Sequence, residues 1–226
     1  MSIRRSHILV VASVAVMALM VLSGAQAYDR TTWALEVFPV AIALAILWAS
    51  YRSFPLTNLL YFLIFLHALV LMTGGLYTYA RVPVGFQIED LLNLSRNPYD
   101  KLGHFFQGLV PALVAREILI RGRYVQGRKM LAFIVICIVL AISAAYELFE
   151  WATAVALGQG ADEFLGTQGD PWDTQSDMLF ALIGAVTALL VFSRIHDRQI
   201  RRIEQPNPST EPMAADKTVA AAHVKR

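Results

Sequence analysis

The sequence predicts an all-α, polytopic bundle of six transmembrane helices, and three observations lead there. First, 57 % of the 226 residues are apolar and only 16 % are charged, with a mean hydropathy of +0.53. A soluble domain of this size cannot hide that much apolar surface in its core. Second, six apolar runs stand at 8–24, 33–51, 58–79, 102–120, 130–157 and 178–195. Each lies near or above the ~20 residues with which a helix crosses a bilayer. Third, none of them alternates like a barrel strand, which leaves helices as the spanning structure. The same composition excludes a disordered chain and a nucleic-acid-binding module.

The first run follows Arg4 and Arg5 and precedes Ala25-Gln26-Ala27, a pattern that also suits a cleavable signal, so cleavage would leave five helices. The second and third runs flank Arg52, and the third carries His67 near its middle. Between the third and fourth, residues 85–94 read as a short interfacial helix. The fourth opens at Asp100-Lys101-Leu102-Gly103-His104 and contains Gly108 and Pro111. The fifth is the longest and carries Cys137, the chain's single cysteine, which excludes an internal disulfide and a cysteine metal site. The sixth follows Gly169-Asp170-Pro171-Trp172-Asp173, where Asp170 reads as an N-cap and Pro171 as the first helical residue. Residues 1–200 thus form one transmembrane domain. Residues 201–226, with Pro206, Pro208 and Pro212, read as a flexible tail.

With six crossings both termini share a side. Arg4, Arg5, Arg52, Arg121, Arg123, Arg128, Lys129, Arg194, Arg198, Arg201 and Arg202 all fall on it. The other side carries Arg30, Arg81, Arg96 and Lys101. The positive-inside rule therefore makes the termini cytoplasmic. Trp33, Tyr51, Tyr77, Tyr79, Trp151 and Trp172 lie near the expected boundaries and read as an aromatic belt.

Ionisable residues inside spans are costly and mark function. Asp100 and His104 are four apart, so they share a helical face. Glu147 and Glu150 share a face with Ser143 near the external end of the fifth helix. Asp177 begins a stripe with Ala181, Gly184 and Ala188, whose small side chains suit close helix packing. His104, Glu147, Glu150 and Asp177 are the candidate catalytic residues. Lys101 and Asp100 are candidates for ligand binding. With Asp173, the same His104, Glu147, Glu150 and Asp177 form a candidate ligand set for a divalent metal. His67 is open to a structural or a proton-relay role, and Glu36 to anchoring at the interface or lining the cavity. No His-Glu-x-x-His element, Walker loop, nucleophile elbow or dinucleotide fingerprint occurs.

Several blocks together resemble the YjdF-like family of bacterial inner-membrane proteins over about residues 28–200. They are Asp29-Arg30-Thr31-Thr32-Trp33, Tyr51-Arg52-Ser53-Phe54-Pro55-Leu56-Thr57, His67, Gly75-Leu76-Tyr77-Thr78-Tyr79-Ala80-Arg81-Val82-Pro83, Asp100-Lys101-Leu102-Gly103-His104 and Glu147-Leu148-Phe149-Glu150-Trp151. The resemblance implies a place in the inner membrane and carries no activity with it. A looser likeness is to VanZ-like membrane proteins. Asp100, Lys101 and His104, an acidic helix with Glu147 or Glu150, and Asp177 match their pattern, but Ala181 stands near where an Asn is usual. That likeness points to the envelope surface. The expected function is binding, or modification, of a lipid-linked or amphipathic ligand at an external acidic and histidine pocket, with membrane lipids as partners. A proton- or metal-coupled transporter and a non-enzymatic assembly factor are the alternatives.

Overall fold

The computed structural model describes residues 3–158 and 168–205. In chain order the elements are α1 (Ile3–Gln26), α2 (Arg30–Ser50), α3 (Asn58–Tyr77), α4 (Pro83–Leu92), α5 (Tyr99–Arg121), α6 (Arg128–Leu157) and α7 (Asp173–Thr187). α7 runs through a π-helical turn (Ala188–Phe192) into α8 (Ser193–Glu204). No strand occurs among the described residues. The chain is a membrane helical bundle, and each expected apolar run lies on a long helix. Arg4–Gln26, Arg30–Ser50, Asn58–Tyr77, Arg128–Ala156 and Asp173–Glu204 are long and apolar enough to cross a bilayer. The expected tail beyond residue 205 lies outside the described residues, although 201–204 belong to α8.

The remaining long helix, α5, has 23 residues and so spans roughly 35 Å. It is more polar than the others because it carries Asp100, Lys101, His104, Gln107, Arg116, Glu117 and Arg121. Those groups are tolerated because α5 lies against α3, α6 and α7 rather than against lipid. Its closest neighbour is α7. A side chain at Gly108 would run into the backbone carbonyl of Ala181, and one at Gly184 into that of Phe105. Ala181, Ala185 and Ala188 are fully buried along the same seam. The small-residue stripe thus brings two backbones together, as small-residue packing in membranes does. Leu60, Leu113, Val135 and Val139 complete the apolar core around it. Cys137 is exposed on the outer surface of α6.

Three local expectations change. α7 starts at Asp173 and not at Pro171, and its N-cap Trp172 makes no side-chain cap. Asp170 instead accepts a 2.8 Å hydrogen bond from the Trp172 amide, closing a turn that hands Asp173 to the bundle interior. The interfacial helix spans 83–92 rather than 85–94, because Pro83 is suited to a first helical turn. Tyr79 is no belt residue. Thr78 and Tyr79 take positive φ after α3, which turns the Tyr79 ring back onto Gly74 and leaves it 6 % exposed. Gly74 has to lack a side chain for that ring to fit. Trp151 and Trp172 do stay exposed.

Asp29 caps α2, accepting the Thr32 amide at 2.7 Å. That hydrogen bond, foremost from the Thr32 backbone, holds the Asp29 carboxyl below its usual range. Its contribution is therefore complete above the ordinary carboxylate pKa and fades as pH falls through the lowered value. Asp29→Ala is expected to cost about 0.5–1 kcal/mol in thermal unfolding of the detergent-solubilised protein. The deficit should shrink on acidification below pH ~4. An equal deficit at neutral and acid pH would contradict the charged cap.

Candidate functional site

Even-numbered crossings place the starts of α5 and α7 and the end of α6 at the end of the bundle away from the termini, here the distal end. Helical spacing on α5 puts Asp100 and His104 on one face, and the Gly108–Gly184 seam draws the α7 face bearing Asp177 against it. The result is a compact group. His104 Nε2 lies 3.5 Å from Asp100 Oδ1 and 3.8 Å from Asp177 Oδ2. One ligating atom from each of these three residues falls within 4.8 Å of the others. α6 adds Glu147, whose Oε1 is 3.8 Å from His104 Nδ1.

The imidazole is oriented from its other side. His104 Nδ1 lies 3.0 Å from Gln107 Oε1, one turn along α5. With Nδ1–H donating to that amide oxygen, Nε2 turns its lone pair toward the two carboxylates. Separations of 3.5 and 3.8 Å are too long for good hydrogen bonds. They do match the spacing of atoms around a common ion, since two ligands at ~2.1 Å on a tetrahedral centre sit roughly 3.4 Å apart. A ring nitrogen donating outward while the other faces ligands is the usual posture of a metal-binding histidine.

Glu147 Oε1 is buried and has no hydrogen-bond partner. Ser143, one turn deeper on the same α6 face, is fully buried and its hydroxyl is likewise unpartnered. Other helical hydroxyls, such as Thr153, Thr187 and Ser193, bond back to the carbonyl four residues earlier. Ser143 does not. Buried polar atoms without partners cost roughly 1–3 kcal/mol each, and two of them lie one turn apart on the α6 face that carries Glu147 to His104.

Two cations offset part of the acidic charge around the cluster. Lys101 Nζ donates to Asp173 Oδ1 at 2.7 Å and to Asp177 Oδ1 at 2.6 Å. Arg96 pairs with Asp173 and, at 3.3 Å, with Asp170. Asp177 therefore bridges Lys101 through one oxygen and faces His104 with the other. The Tyr146 ring stands edge-on to His104 with ring centroids 6.4 Å apart, and its hydroxyl donates to Glu36 at 3.2 Å, adding a carboxylate from α2.

The geometry sorts the residues that the sequence singled out. Asp100, His104, Glu147 and Asp177 come together, with Asp100 in the three-residue group rather than at a rim. Asp173 faces Lys101 and Arg96. Glu150 is half-buried and makes no hydrogen bond or ion pair among the described residues. Lys101 is engaged by two carboxylates. His67 stacks on Phe106 at 5.9 Å, with Nε2 buried and unpartnered. The members are buried rather than open at a mouth: His104 is 6 % exposed and Asp177 3 %. Gln107, Tyr146 and Arg96 escaped the sequence reading. Only Gln107, three residues from His104, carried a local signal.

A second polar centre lies at the terminal end, and no part of it was anticipated. Glu117 is fully buried. It accepts from the Thr57 amide at 3.1 and 3.2 Å, the Thr57 hydroxyl at 2.9 Å, Arg121 at 2.8 Å and His196 Nε2 at 2.9 Å. Arg116 reaches His196 Nδ1 at 3.2 Å and also pairs with Asp197. A guanidinium only donates, so Nδ1 accepts and Nε2–H faces Glu117. Every one of these contacts is made, so this centre fastens α3, α5 and α8 together.

Fold and site define a multi-pass membrane helical bundle with a buried carboxylate–histidine cluster at one end. Residues 8–198 match the model of the DUF2238 family of predicted membrane proteins, and the chain belongs to that family. It is 65 % identical over 184 residues, 81 % of this chain and 88 % of the relative, to the inner membrane protein YjdF of Escherichia coli (strain K12). No solved structure matches the chain. The relative and the apolar helices together support a multi-pass protein of the inner membrane.

Proposed function

We propose that this protein binds, and through acid–base chemistry modifies, a lipid-linked or amphipathic ligand at the external face of the inner membrane. The positive-inside distribution of Arg and Lys favours the distal end as external. The observation that carries the reading is the unpartnered, buried Glu147 carboxylate oxygen beside a histidine already flanked by Asp100 and Asp177. A structural ion-pair cluster would close such an atom with a partner, as the Glu117 centre does.

In this reading Asp100, His104 and Asp177 would hold a divalent cation, which would supply Lewis-acid polarisation of a ligand oxygen. Glu147 takes or gives the proton, with Glu150 one turn away at the half-buried edge. Gln107 orients the imidazole. Lys101 holds Asp177 in place and offsets the acidic charge that a phosphate-bearing ligand would otherwise meet. Exposed Leu91, Leu92, Trp151 and Trp172 give this end an apolar rim, suited to a ligand arriving from the lipid phase.

The test is purification of the full-length protein without chelator, followed by metal analysis, zinc and manganese titration, and mass spectrometry of retained lipids. About one divalent ion per chain is expected. H104A and D177N should weaken metal binding by at least ~100-fold, since even outer-shell changes cost 10–100-fold. E147Q should spare the fold while impairing cellular function. Unchanged metal and ligand binding in H104A, E147A and D177N proteins of normal abundance would refute the assignment.

A further inference from the structure

The terminal end offers a site of different chemistry. From Asp173 at the distal boundary, the continuous helix through α7 and α8 rises about 38 Å to Arg198 and about 48 Å to Gln205 at ~1.5 Å per residue. The hydrocarbon layer is ~30 Å thick, and ~40–45 Å with its headgroups. Arg198 therefore stands at the outer edge of the headgroup layer, and Arg201 and Arg202 stand one turn beyond it, from where their long side chains reach back to the headgroups. The spacing of three and four places Arg198, Arg201 and Arg202 on one face of α8, and Gln205 follows as its extended C-cap. Among the described residues these four line a surface cleft of about 320 Å³, with no carboxylate between them.

The opposite face of α8 is immobilised. His196 and Ile200 are buried, His196 donates to Glu117, and Gln199 accepts the Leu59 amide at 2.9 Å. The cleft is presented by a fixed helix rather than by a loose end. Three other cations at this end are engaged within the bundle: Arg5 with the Leu56 carbonyl, Arg116 with Asp197, Arg121 with Glu117 and the Pro55 carbonyl. The guanidinium groups of Arg198, Arg201 and Arg202 are exposed and make no ion pair or hydrogen bond with any described residue. Three unpaired guanidinium forks and an amide on one rigid face suit a phosphate with several acceptor oxygens.

We propose that the Arg198–Arg201–Arg202–Gln205 face of α8 binds the phosphate of an anionic phospholipid headgroup in the leaflet at the terminal end. The site is independent of the distal cluster. Native mass spectrometry of the full-length protein in detergent, titrated with phosphatidylglycerol, phosphatidylcholine or inorganic phosphate, tests it. Phosphatidylglycerol should bind at least ~10-fold more tightly than phosphatidylcholine. R201Q should weaken it about fivefold and R198Q/R201Q/R202Q by on the order of 100-fold, at about 1 kcal/mol per arginine. R128Q/K129Q, exposed on α6, should leave it unchanged. Equal phosphatidylglycerol binding by the wild-type and triple-variant proteins, or an equal loss in R128Q/K129Q, would overturn the proposal. Displacement of the lipid by equimolar inorganic phosphate would overturn it too, assigning the face to a free anion.

Discussion

Glu117→Ala is expected to destabilise the bundle by about 3–5 kcal/mol, the largest single-residue effect in the protein. The carboxylate is fully buried and receives hydrogen bonds from Thr57, Arg121 and His196. Removing it leaves an imidazole N–H and the Thr57 amide and hydroxyl without an acceptor, each at the cost of a desolvated donor, and leaves Arg121 only the Pro55 carbonyl. Glu117→Gln retains the shape but replaces one acceptor oxygen with an NH₂ that meets other donors, so a smaller loss of about 2 kcal/mol is expected. Reversible unfolding in mixed micelles measures both. Wild-type stability in E117A would mean that the centre is wet and contributes nothing, contrary to its burial.

Gly108→Val is expected to disrupt α5–α7 packing by about 3 kcal/mol or more, and Gly108→Ala by somewhat less. Two effects compete. Alanine is favoured over glycine in a helix by about 1 kcal/mol, whereas overpacking a filled interior costs roughly 1–3 kcal/mol and occasionally more. At Gly108 the added carbon meets the Ala181 backbone carbonyl, which cannot rotate aside, so the steric term wins. Gly75 is the control. There the carbon would meet a Val37 methyl at 3.0 Å and the Glu36 Cβ and Trp33 ring at 3.4 Å, so shifts of a few tenths of an ångström suffice, and Gly75→Ala should cost far less than Gly108→Ala. Unfolding midpoints of the three variants decide the matter. Destabilisation by Gly75→Ala as large as by Gly108→Ala would show that close approach is not special to the α5–α7 seam. Because that seam carries Asp177 to His104, Gly108→Ala should also weaken the divalent-metal binding proposed for the distal cluster.

Much of this architecture is readable one helix at a time. Apolar length marks the spans, four-residue spacing pairs Asp100 with His104, and the Asp177–Ala181–Gly184–Ala188 stripe foretells a close helix neighbour. Each is a property of local periodicity, and each survives folding unchanged. The start of α7 was misread because local capping chemistry at Asp170 competes with the pull of Arg96 and Lys101 on Asp173, and the long-range ion pairs prevail. Tyr79 was misread for a similar reason, since two successive positive-φ residues after α3 reverse the side chain from the interface into the bundle.

What the sequence by itself determined is the membrane class, the helices, and the faces on which costly polar groups lie. Which carboxylate meets which cation was decided only by tertiary structure. Asp173 and Asp177 are equivalent as sequence, yet one is taken up by Arg96 and Lys101 while the other also faces His104. Glu117 and His196 are 79 residues apart, with no spacing rule to join them. The physical reason is that helix periodicity is set by contacts within about four residues. Buried electrostatics is instead settled between helices, in a low-dielectric interior where every donor must find whichever acceptor the packing brings to it.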